Sequence, residues 1–159
     1  MKRNLSAAMV VIAFATTLLV NMTATAQGVG PACSLYQTAG KWGFSTNGTV
    51  VGIGPRVSAG IFTLDAAGNV WDAKATSSLN GIVAGEAFSG TYSVNPDCTG
   101  NMDVDVFDLS GNKLFTATLA LVFDQGAQEM RAIFSSIVAP NGATLASAIV
   151  ADARKIREP

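Results

Sequence analysis

The chain has 159 residues, 49% hydrophobic and only 13% charged, with 2 Cys, no His and a net charge of -1. The missing histidine excludes Ser-His-Asp and Cys-His nucleophilic sites, His-ligated zinc and His-held haem. No basic excess points to a nucleic-acid partner.

Residues 1–26 read as a signal peptide, the first of three segments. Lys2 and Arg3 form a positive start, an apolar stretch covers residues 5–20, and Ala24-Thr25-Ala26 gives the small-x-small cleavage pattern. That stretch is broken by Thr16 and Thr17 and ends before Asn21, too short for a spanning anchor. No stable membrane anchor is therefore expected after cleavage. Processing leaves 133 residues, in which 8 basic side chains face 11 acidic ones for a net charge of -3. The expected location is secreted or periplasmic. Cys33 and Cys98, the only cysteines, both lie in the exported part, so a disulfide between them is expected.

An N-terminal arm over 27–39 follows, then a β-barrel domain over 40–159. The domain repeats an apolar-rich run of 8–12 residues and then a turn built from Gly, Asn, Asp or Pro. Eight strands are predicted, near 41–50, 57–65, 69–77, 82–94, 101–108, 113–123, 128–138 and 144–156. Residues 51–56, with Gly52, Gly54 and Pro55, read as a loop bordering the barrel opening. Trp42 and Phe44 share one face, as do Glu86, Phe88 and Tyr92, and Met102, Val104 and Val106. Runs 113–123 and 128–138 are apolar at both parities, which predicts cover on both faces by a second subunit or a terminal segment. The Ala-rich run 144–156 suits helix or strand and is read as a strand. The fold class is all-β: an antiparallel meander of about eight strands closed into a β-barrel, with a two-sheet β-sandwich as the rival.

The segments GTYSVNPDCTG at 90–100, LVFDQGAQEMRAIFSS at 121–136 and AGKWGF at 39–44 resemble a family of small secreted bacterial proteins of unknown function. That resemblance implies a barrel of calycin or allene-oxide-cyclase-like type and supplies no activity. Gly40-Lys41-Trp42 is similar to the Gly-x-Trp signature of lipocalins. There the Trp closes one barrel end against a late Arg, a place Arg154 or Arg131 would take.

Trp42, Phe44, Phe62, Phe88, Tyr92 and Phe134 are the candidate apolar liners of an interior ligand site. Glu86 and Arg131 interrupt apolar faces, and a lone buried charge is costly, so the two are expected to pair as polar fixers. No metal site is expected, because Asp97, Asp103, Asp105 and Asp108 lack the spacing of a calcium loop. Nor is a catalytic residue or a cofactor assigned. The reading is a non-catalytic barrel that binds a small apolar molecule or a partner surface, with self-association through 113–123 and 128–138. A cyclase or isomerase, or a purely structural surface protein, is the alternative.

Overall fold

The computed structural model describes residues 33–124 and 126–157; the expected leader and the first part of the arm lie outside them. A one-turn helix α1 (Leu35–Thr38) precedes eight strands: β1 (Gly40–Val50), β2 (Gly54–Leu64), β3 (Asn69–Leu79), β4 (Ile82–Val94), β5 (Thr99–Asp108), β6 (Lys113–Phe123), β7 (Glu129–Val138) and β8 (Ser147–Lys155). Every sequential pair is antiparallel, and β8 pairs with β1 to close the barrel. The sandwich is excluded, and the run near 144–156 resolves as a strand.

Period-two alternation produces this cylinder. Trp42, Phe62, Leu64, Val70, Met102, Val104, Leu119, Leu121 and Met130 point inward and form one buried core. Closing so few strands bends each one sharply, and glycine permits it. A Cβ at Gly60 or Gly90 would collide with the backbone carbonyl of the adjacent strand, at Lys74 and Asp103 respectively.

The two ends differ. Turns β2–β3, β4–β5 and β6–β7 lie at one end together with α1 and both ends of the domain. Turns β1–β2, β3–β4 and β5–β6 and the β7–β8 connection lie at the other. The first end is plugged. Thr38 of α1 is buried, Leu35 packs on the core, and the Cys33–Cys98 disulfide ties the segment before α1 to the β4–β5 turn. A buried disulfide of this kind belongs to an oxidising compartment.

The outer faces of β6 and β7 carry apolar side chains. Among the described residues nothing covers those faces, since Val122 and Ile133 point outward and remain more than half exposed. The register explains part of the pattern. Thr118 opposes Ser136 and Leu119 opposes Phe134, so Ser135 is an extra residue that switches the inward parity along β7. Before the bulge Met130, Ala132 and Phe134 point in; after it Ile137 does.

Candidate functional site

Four aromatic rings separate the plug from the interior. Trp42 is fully buried, stacks with Phe62 at 6.4 Å, and donates its indole N–H to the Thr38 carbonyl at 3.0 Å. Phe44 lies 5.6 Å from both Phe62 and Phe88. Beneath them the Tyr92 hydroxyl donates to the Asp65 carbonyl at 2.7 Å and lies 3.2 Å from the Thr38 hydroxyl. Burial pushes the Tyr92 phenol up, the Thr38 hydrogen bond opposes that, and the Asp65 charge adds to it. Trp42 and Tyr92 therefore belong to the closed end and lie outside the cavity lining, unlike their expected placement.

The cation over Trp42 is neither Arg154 nor Arg131. It is Lys155, whose Nζ lies 5.7 Å from the ring centroid and donates to the Gln37 carbonyl at 2.7 Å. Burial holds this ammonium below its ordinary value. Arg154 is on the surface, 2.8 Å from Glu129.

On the open side of the rings lies a cavity of about 60 Å³. Phe44, Phe62, Phe88 and Phe134 line it, as do Met102, Val104, Val106 and Leu119. Its polar wall is an ion pair. Arg56 donates from Nη2 to Oε2 of Glu86 at 2.7 Å, with both side chains more than nine-tenths buried. The other carboxylate oxygen accepts the Ser77 hydroxyl at 2.7 Å. The Arg56 guanidinium also sits 5.0 Å above the Phe115 ring. Next to it the Thr46 and Ser58 hydroxyls are hydrogen-bonded at 2.7 Å.

The expected Glu86–Arg131 pair does not form. Glu86 is inside as expected, but its partner is Arg56. Arg131 lies on the outer face with its Nε 3.9 Å from Asp152, both exposed. The error has a local cause: Arg131 shares parity with Ile137 in the sequence, and the bulge at Ser135 breaks that parity. Pro55 and two glycines give residues 51–56 the composition of a loop, which hides the inward position of Arg56. Its signal was present nonetheless, since Arg56, Ser58, Phe62 and Leu64 share one parity, and β2 begins at Gly54. Thr46, Ser58 and Ser77 were likewise legible as small polar residues on inward positions, and they are successive register partners on β1, β2 and β3.

The acidic residues outside the barrel have structural partners. Asp103 accepts from Thr118 and Asp105 from Thr116 and Lys113, whereas Asp97 and Asp108 accept backbone N–H groups of their own turns. Among the described residues no cluster of three metal-ligating side chains occurs.

No protein-family model matches the sequence, and no curated protein matches it. Among solved structures the chain is similar to a redesigned beta barrel at 19% identity and a TM-score of 0.45, over 78% of this chain and 96% of that one. It is similar to the S-type phycobiliprotein lyase CPES from Guillardia theta at 8% identity and a TM-score of 0.46, over 79% of this chain and 92% of that one. The third is Rv2717c from M. tuberculosis, at 15% identity and a TM-score of 0.36, over 77% and 95%.

Proposed function

We propose that the protein is an exported, non-catalytic binding barrel whose interior takes a small, neutral, largely apolar molecule with one hydrogen-bond acceptor. One observation carries this reading: a cavity walled by phenylalanines and aliphatic side chains borders a buried Arg56–Glu86 pair. A few fixed polar groups in an apolar wall are the usual build of a small-molecule site. Guanidinium has five N–H donors, and the hydrogen bond to Glu86 uses one of them. A guest's carbonyl or ether oxygen beside Arg56 accepts another. A neutral guest fits better than a carboxylate, because Glu86 already balances the arginine and a second anion would be buried without a counter-charge. At about 60 Å³ the space is well below the few hundred cubic ångströms of an ordinary small-molecule pocket, so as it stands it admits only a guest of few heavy atoms, and a larger one must turn Phe44 or Phe134 aside.

Two measurements test this together. Native mass spectrometry of protein purified from its own host reads any retained molecule. Xenon NMR reads whether the apolar space can be entered, with and without Phe134→Trp to fill it. Added mass or xenon uptake that Phe134→Trp abolishes supports the reading. Bare protein that takes up no xenon overturns it, and the interior is then a filled core.

A further inference from the structure

We infer that the open end of the barrel is a docking surface for an electrically neutral lipid interface, which its turn tips enter. The inference goes beyond the interior binding reading and stands without it.

Its first support is where the exposed aliphatic side chains lie. Val51 and Ile53 sit in the β1–β2 turn, Ile82 and Val83 just after the β3–β4 turn, and Leu109 at the β5–β6 turn. Val51, Ile82, Val83 and Leu109 are 62%, 76%, 68% and 77% exposed. The tips form one rim. The Val51 N–H donates to the Ala146 carbonyl of the β7–β8 connection, the Asn80 N–H donates to the Pro55 carbonyl, and Leu109 lies against Gly85. Each of these aliphatics could have been polar at no cost to the barrel, since none is buried in the core.

The second support is charge. Among the described residues, the open-end halves of β7, β8, β1, β2, β3 and β4 carry only two charged side chains, Arg56 and Glu86, and both point inward and pair. The outward positions there are Ser45, Asn47, Thr49, Val57, Ser78 and Val150, or similar uncharged residues. At this end the remaining charges flank the β5–β6 turn: Asp105, Asp108 and Lys113. Asp105 pairs with Lys113 at 2.7 Å, and Asp108 caps its own turn. Lysine and arginine gather at the plugged end, as Lys41, Arg131, Arg154, Lys155 and Arg157, while Lys74 sits at the midpoint of β3. An anionic membrane would select the reverse, with cations among the inserted aliphatics. Separate tips, each carrying one or two aliphatics, suit shallow entry into a fluid interface better than a flat protein-protein contact, which needs a continuous packed face.

The test is vesicle flotation of the protein as its host exports it, its N-terminus read by mass spectrometry. The comparison is with V51S/I53S/I82S/L109S, which changes only exposed positions, and with V122S/I133S, which changes apolar positions of the outer wall. We expect the wild type and the wall variant to float with pure phosphatidylcholine vesicles, equally at low salt and at about 1 M. The tip variant should lose roughly tenfold or more in partitioning while keeping the far-ultraviolet spectrum of the barrel. Equal flotation of wild type and tip variant overturns the inference. So does absence of flotation, binding that needs anionic lipid and fades with salt, or a wild-type dimer that the tip substitutions dissociate. None of these readouts involves an interior guest, so the binding reading can fail while this one holds.

Discussion

Arg56 and Glu86 form a buried ion pair among the described residues. Each has been taken out of water, and each is acceptable only because the other, together with Ser77, replaces the lost hydration. Removing one partner strands the other. Arg56→Met is expected to cost about 3 kcal/mol, and the double variant R56M/E86L should recover most of that because it buries no charge. Urea unfolding of the two single variants and the double decides it, and singles that lose no stability would show the pair to be solvated. This site was half legible. Glu86 stood out as a carboxylate on a face with Phe88 and Tyr92. Its partner could not be chosen from parity, because a bulge on β7 and a proline at the start of β2 each disguise which residues point inward. Both features are set by pairing with neighbouring strands, information that a single run of sequence lacks.

The elements were more readable than their decorations. β1, β4 and β5 follow strict alternation, and the turns between strands carry residues with a mechanism. Asp65 accepts the N–H groups of Ala67 and Asn69, and Asp108 those of Ser110 and Asn112. These bonds have a pH signature. The Asn69 side chain and backbone hold the Asp65 carboxyl below its ordinary 3.8, Asn112 does the same for Asp108, and Thr99 for Asp97. Because the folded values lie below the unfolded one, their contribution is complete above about pH 4 and disappears as pH falls through the lower folded values. Thermal melts should be flat from neutral pH to about 4.5 and drop below it, and Asp65→Asn with Asp108→Asn should shallow that drop. An unchanged slope would place the acid sensitivity elsewhere. The helix α1 was invisible for the opposite reason: four residues give no helical period, and such a turn is unstable alone. It holds through the disulfide, the Tyr92–Thr38–Trp42 hydrogen bonds and Lys155. Closing a span of 65 residues restricts the unfolded chain by up to about 4 kcal/mol, so C33S/C98S should unfold at markedly lower urea. If its midpoint equals that of the oxidised protein, the plug is held by packing alone.

Across the whole molecule, seven of the eight strand pairings join sequence neighbours, while the eighth joins the first strand to the last. The local hairpins can form early, but the β1–β8 seam must wait until nearly the whole domain is in place, because its loop-closure entropy is the largest. Ile149 on β8 reports on that step. It is fully buried and packs with Val50 and Ile137 in the cluster that fills the seam side of the open end. Ile149→Ala should cost about 3 kcal/mol through the cavity it leaves. If the seam closes last, most of that loss appears as faster unfolding, with the folding rate nearly unchanged. Val104→Ala, in β5 between two hairpin neighbours, should instead slow folding as well. Stopped-flow measurements across a urea series separate the two. A folding limb slowed as much by Ile149→Ala as by Val104→Ala would mean that the cylinder closes before its hairpins are consolidated.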